Sequence, residues 1–237
     1  MMANNFSGFK KATIQFYDEL QLNNDRIWFE KHKEKYKTDV IEPAVEFVKS
    51  MGARLQTLSP SFIADTRTNG SGSIFRIYRD VRFSKDKRPY KTFLGIFFWE
   101  GVKKKMFNPG FYFHLEANKL MLFAGMHDFP KDALKIYRDA VVSQKGLYEL
   151  KTISSDILAG EGYKIGGKHY KRIPRGYEQY TDNEFLYFSG LYAHTESGIP
   201  EELYSDALVD YCFNHFKFMY PLHQWLSTYL GGDNDEQ

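Results

Sequence analysis

Thr92-Phe93-Leu94-Gly95-Ile96-Phe97-Phe98-Trp99 is a near-continuous apolar run, and its reading decides the fold. An apolar run of this length reads as a strand covered on both faces, and so as the centre of a sheet. Downstream, residues 110–116 alternate: Phe111, Phe113 and Leu115 point one way, Tyr112, His114 and Glu116 the other. The short turn Ala117-Asn118-Lys119 leads into Leu120–Gly125, which predicts a hairpin. Upstream, residues 62–68 read as a strand and Asn69-Gly70-Ser71-Gly72 as a flexible turn. Residues 73–83 alternate in their turn. Phe75, Ile77, Arg79, Val81 and Phe83 share one face, and Ile74, Arg76, Tyr78, Asp80 and Arg82 share the other.

Helical periodicity flanks this meander. Phe9–Leu22 predicts a helix ended by Asn23-Asn24, and Asp25 caps the next. The following pattern runs from Arg26 to Leu58, with Pro43 inside it, which predicts a break or kink near Asp39–Glu42 because proline offers no N–H. Helices are also expected from Pro130 to Ser143 and from Leu147 to Leu158. Tyr163–Ile173 reads as a hairpin around Gly166-Gly167, and Thr181-x-x-Glu184 as a capping box opening a short helix. An aromatic-rich helix begins at Pro200 and is expected to break or kink at Pro221. Helices, then antiparallel strands, then helices define an α+β fold: an antiparallel sheet of meander and hairpins packed with N-terminal and C-terminal helices. Without a repeat or linker, a single domain is expected over residues 1–230, with a polar tail at 231–237.

The chain has 237 residues, of which 43% are hydrophobic and 17% aromatic, far from the composition of disordered chains. Cys212 is the single cysteine, so no internal disulfide forms, and a reducing cytoplasmic setting is expected. Met1–Lys11 lacks the apolar stretch of a signal peptide, and no run of about 18 apolar residues suggests a membrane span. The seven histidines fall without metal-ligand spacing, so neither metal nor cofactor is expected. Walker, dinucleotide-binding and Gly-x-Ser-x-Gly patterns are absent as well. Cys212, among Tyr211, Phe213 and Phe216, reads as core rather than nucleophile. Aromatic residues on more than one face of the C-terminal helix leave a homodimer open.

Charge carries the functional signal. Residues 76–91 hold seven cations against two acids, in a chain of net charge +2. Arg76, Arg82, Lys85 and Lys91 are the expected anchors of an anionic, phosphate-bearing ligand, because guanidinium and ammonium groups donate to such oxygens. Tyr78 and Tyr112 complete the patch, and Arg172 and Arg175 in the basic stretch 168–175 are further ligand-binding candidates. If the faces of 73–83 and 110–116 coincide, His114 joins Asp80 or Glu116 as an acid–base pair. In the alternative, the arginines and acids pair with each other on a wet surface, each pair contributing about 0–1 kcal/mol. Arg79, on the apolar face, reads as structural. Lysines at 85–91, 103–105 and 168–175 also admit a nucleic-acid-binding module, and the aromatic C-terminal helix a purely structural or interaction protein.

The stretch Arg76-Ile77-Tyr78-Arg79-Asp80-Val81-Arg82-Phe83-Ser84-Lys85-Asp86-Lys87-x-Pro89-Tyr90-Lys91-Thr92 resembles the hallmark of the family catalogued as domain of unknown function 2461. Asn23-Asn24-x-Arg26-x-Trp28-Phe29, Pro109-Gly110-Phe111-Tyr112-x-His114-Leu115-Glu116 and Lys171-Arg172-x-Pro174-Arg175-Gly176-Tyr177 agree with it in the same order. The resemblance implies a single-domain protein of mostly bacterial distribution. It implies no activity and no catalytic residues.

Overall fold

The computed structural model describes residues 6–231. The expected polar tail therefore lies, but for Gly231, outside the described residues. Helices α1 (Lys11–Leu22), α2 (Arg26–Lys35) and α3 (Glu42–Leu55) precede strands β1 (Phe62–Ile63), β2 (Phe93–Glu100), β3 (Gly110–Glu116) and β4 (Leu120–Met126). Helices α4 (Lys131–Val142) and α5 (Gln144–Ala159), strands β5 (Tyr163–Lys168) and β6 (Phe188–Ser197), and helix α6 (Ala207–Leu230) complete the chain. The strands form one antiparallel six-stranded sheet in the order β1-β2-β3-β4-β6-β5, so the fold is α+β. No helix among the described residues is long and apolar enough to cross a membrane.

The chain divides into two compact units. Of the described residues, one unit holds those up to Phe98, Tyr112–Leu122 and Glu196–Asn214; the other holds Trp99–Phe111, Phe123–Thr195 and those from His215 to Gly231. In the first unit, α3 buries Ala44, Phe47, Val48, Met51 and Leu55 at helical spacing. Phe113 of β3 clusters with Phe47, with ring centroids 4.9 Å apart, and with Phe9, 6.0 Å away and stacked. Burying each such ring contributes about 1.5–3 kcal/mol. The α1–α2 corner is built from polar side chains. Asn23 returns its side-chain amide to the Glu19 carbonyl, and Asp25 accepts the Trp28 N–H. Asn24 pairs with the backbone of Tyr90 in both directions, each bond 3.0 Å long, as a neighbouring strand would.

Pro43 acts on the preceding turn as its chemistry demands. Tyr36–Ile41 is a π-helical turn, in which the Glu42 N–H reaches back five residues to the Lys37 carbonyl. A regular helix would leave the Asp39 carbonyl waiting for the N–H that Pro43 lacks. Here the buried Thr13 hydroxyl donates to that carbonyl at 2.5 Å, and Lys10 Nζ donates to Thr38 O and Asp39 Oδ1, each at 3.3 Å.

The expected strand over 73–83 does not form. Ile74↔Ile96 and Tyr78↔Tyr90 are isolated bridges, and the rest of the segment is irregular. Residues 73–79 still exchange backbone bonds (Phe75 N–H to Gly95 O, Phe97 N–H to Ser73 O, Lys91 N–H to Ile77 O). The chain departs from a strand at 80–88, which holds two of three Asp-x-Arg triplets: Asp80-Val81-Arg82 and Asp86-Lys87-Arg88, the third being Asp65-Thr66-Arg67. In each, the aspartate accepts the backbone N–H of the arginine two residues on, while the guanidinium grips the same carboxylate. A backbone N–H taken this way is lost to a β-ladder. Residues 79–89 instead form a loop closed by Arg79 N–H to Pro89 O at 2.8 Å, with Arg79 Nη1 bonded to Asp86 at 2.8 Å. The strand expected over 62–68 shortens to Phe62–Ile63 for the same reason, since Asp65 begins a triplet.

Two corrections fall in the second unit. Gly166-Gly167 is not a hairpin tip. Tyr163–Lys168 pairs with β6, which the sequence reading did not foresee, and the register shifts between Gly166 and Lys168. A Cβ on Gly166 would stand 2.4 Å from the Tyr192 ring, and Gly167, at φ +111°, has the Gly190 carbonyl where its Cβ would go. The short helix Glu184–Tyr187 is 3₁₀, and its cap is Asn183, which accepts the Phe185 N–H, rather than Thr181. Helix α6 continues through Pro221.

Thr13→Val keeps the shape of the buried side chain and removes its hydroxyl. It is expected to destabilise by about 1–3 kcal/mol, the cost of an unsatisfied carbonyl. Thr13→Ser keeps the hydroxyl and should lose about 0.8 kcal/mol with its methyl. Urea midpoints at constant slope check the order; equal losses would remove the Asp39 bond from the account of the π turn.

Candidate functional site

The first unit contains an open cleft of about 1210 Å³. Its walls are the chain before α1, the stretch 33–46 that includes the π turn, the turn at Thr68-Asn69, residues 75–78 and Tyr204. Five cations (Lys10, Lys11, Lys33, Lys37, Arg76) and three carboxylates (Glu34, Glu42, Glu46) line it, with Phe9, Tyr36, Phe75 and Tyr78 as aromatic surface. Of the residues expected from sequence, Arg76 and Tyr78 belong to this cleft. The Arg76 stem crosses Gly70, where a Cβ would stand 2.6 Å from Arg76 Cγ; Gly70 itself has φ +90°, a conformation that suits glycine. Tyr78 is 52% exposed, and its ring rests against Tyr90 at 5.5 Å and the edge of Phe29 at 6.2 Å.

The other cations of 76–91 are mostly engaged. Arg82 pairs with Asp80, and both are more than half exposed; Arg79 and Arg88 share Asp86. The arginines hold both carboxyls below the usual range, Asp80 through Arg82 and Asp86 chiefly through Arg88. Lys87 Nζ donates to Val81 O, and Lys85 is exposed. Lys91 Nζ donates to Arg76 O at 2.9 Å and lies 5.4 Å from the Phe75 ring centre; burial, and then the Arg76 charge, push its pKa down. Arg76 has no acidic partner among the described residues.

On β3, Tyr112, His114 and Glu116 form a hydrogen-bonded row. Tyr112 Oη lies 3.2 Å from His114 Nδ1, and His114 Nε2 lies 2.9 Å from Glu116 Oε1. Phe93 stacks on the imidazole at 4.2 Å, and Lys119 approaches Glu116 at 3.8 Å. Gly95 makes room for the tyrosine, since a Cβ there would stand 2.5 Å from its hydroxyl oxygen. Burial pushes the Tyr112 hydroxyl up and the His114 imidazole down; Glu116 opposes the second shift without cancelling it. Phe75 links the row to the cleft: it lines the cleft and meets Tyr112 edge-on at 5.7 Å.

Tyr112, His114 and Glu116 therefore come together as the alternation suggested, whereas Asp80, Arg82 and Lys85 sit on the 79–89 loop. The coincidence of faces expected between 73–83 and 110–116 has no basis without the strand. Arg172 and Arg175 are exposed residues of the second unit. Sequence reasoning missed Lys10, Lys37, Tyr36 and Phe75 as cleft residues; Pro43 signals the π turn that carries Tyr36 and Lys37, and nothing in the sequence points to Lys10 or Phe75. No cluster able to hold a metal ion occurs among the described residues.

The fold and this cleft define an α+β protein with a concave site of mixed lining, charged side chains set among apolar and aromatic surface. The sequence model of the conserved hypothetical protein family DUF2461 matches residues 12–225, and the chain belongs to that family. No curated protein and no solved structure matches it.

His114 is expected to titrate below the ordinary 6.5 because its charged form is desolvated. The unfolded chain then takes up the proton first, so the contribution of this residue to stability is complete above 6.5 and is lost as pH falls below it. Glu116→Gln removes the group that favours the charged form, and should lower the His114 midpoint further in an NMR titration. A midpoint that rises in Glu116→Gln would refute this balance.

Proposed function

We propose that the chain binds a phosphate-bearing ligand in the first unit's cleft, with Arg76 as the anchor. The observation that carries this reading is the state of charge along 76–91. Three arginines consume both aspartates, and the one left without an acid faces a cleft with four lysines around it. A guanidinium donates to a phosphate through a directional pair of bonds, and the bare Gly70 leaves room for the Arg76 stem. Lys91, close enough for its pKa to respond to the Arg76 charge, is the second contributor to a positive rim.

The Tyr112–His114–Glu116 row supports an enzymatic form of the same reading, with His114 as acid–base group and Glu116 as its orienting carboxylate. Asp80 is the weaker choice for that work, because Arg82 holds it ionised. Arg82, Lys85, Arg172 and Arg175 stand outside the cleft and are assigned no direct contact.

Calorimetric titration with pyrophosphate and simple phosphate esters tests the anchor. Arg76→Ala should weaken binding about 10- to 150-fold, the range for a hydrogen bond to a charged group. Arg82→Ala should stay within about twofold, as an exposed ion pair contributes little. Equal losses in the two variants, or binding untouched by Arg76→Ala, would overturn the assignment.

A further inference from the structure

Resting on that reading, we infer that the ligand is a nucleotide, its base stacked on Tyr78 and its phosphate on Arg76. The two residues flank Ile77, which is buried, and both line the cleft. Tyr78 offers an accessible aromatic surface: its ring is braced by Tyr90 and Phe29 and yet half exposed. A braced ring costs little further entropy when a base stacks on it, and stacking tolerates every base. A simple phosphate or polyphosphate would leave this surface unused.

The carboxylates narrow the class. Glu34 and Glu42 line the same cleft and have no cationic partner among the described residues. Carboxylates beside cations repel a ligand that is anionic along its whole length, such as a nucleic-acid backbone. They accept hydrogen bonds from hydroxyl and amino groups. A nucleotide carries negative charge at one end and ribose hydroxyls, with in most cases an exocyclic amine, at the other. The cleft's 1210 Å³ exceeds the roughly 300–1,000 Å³ of sites that take ligands of this size.

The test is a calorimetric series with pyrophosphate, ribose 5-phosphate, adenosine, adenosine 5′-diphosphate and a single-stranded oligonucleotide. The diphosphate is expected to bind at least about tenfold tighter than ribose 5-phosphate or pyrophosphate. Tyr78→Leu should weaken it roughly 5- to 150-fold, the range measured for stacked rings, and Tyr78→Phe should restore it. Saturation-transfer NMR on the wild type should show the base protons closer to protein than the ribose protons, which keeps the test alive should Tyr78→Leu fold poorly. Equal affinity for ribose 5-phosphate and the diphosphate, both lost in Arg76→Ala, would end the nucleotide inference and leave the phosphate site intact. Binding of adenosine as tight as the diphosphate would end the phosphate reading, and silence from every compound would end both. Oligonucleotide binding that outcompetes the diphosphate and falls steeply with salt would replace the small-molecule site by a nucleic-acid surface.

Discussion

The geometry of the first unit follows from how three aspartates spend their oxygens. Asp65, Asp80 and Asp86 each bind the backbone N–H two residues on and the side chain of the same arginine. Residues 75–92 form no named strand: Ile74 bridges Ile96 of β2 just before them, and Tyr78 bridges Tyr90 within the segment. The aspartates also neutralise Arg67, Arg82 and Arg88 locally, and Asp86 takes Arg79 as well. What remains is a loop at 79–89 stapled to itself, and the stretch 75–78, which lines the cleft while its backbone bonds Gly95 and Lys91. Arg76 belongs to no Asp-x-Arg triplet and has no acidic partner among the described residues.

The opposite wall depends on a single missing hydrogen. Without an N–H at Pro43 the helix widens to a π turn, and the replacement donors come from Thr13 of α1 and from Lys10, the residue before it. The same contacts draw the start of α1 against the 36–41 stretch, so the substitute bond and the cleft share one cause. Such turns cost some helix regularity and persist where the surroundings satisfy the freed groups. The polar corner at Asn23-Asn24-Asp25 does comparable work at the other end of the loop, where Asn24 holds Tyr90 as a strand would and Phe29 stacks on Tyr90 at 4.2 Å.

Much of the candidate site was legible, and its gaps have specific causes. Strict alternation over 110–116 placed Tyr112, His114 and Glu116 on one side, because a strand allows no other arrangement. The same inference failed at 73–83, where the alternation is equally good. Periodicity records which faces side chains would occupy in a strand, but does not weigh the aspartates competing for its N–H groups. The cleft lysines were illegible for another reason. Lys10 and Lys37 are distant in sequence from each other and from Arg76, and share a cleft with it only through packing.

By itself the sequence determined the α+β class, the central apolar strand, the β3–β4 hairpin, the helix disturbance at Pro43 and the row on β3. Each rests on local chemistry: burial of an apolar run, the period of a strand, a proline without a donor. Tertiary structure alone decided that β5 pairs with β6 rather than with itself, that Asn24 clamps Tyr90, and that Arg76 and Tyr78 face a cleft while Arg82 faces solvent. Those outcomes depend on which groups packing brings together, and for Asn24 with Tyr90 and for Arg76 with the cleft lysines the partners lie far apart along the chain.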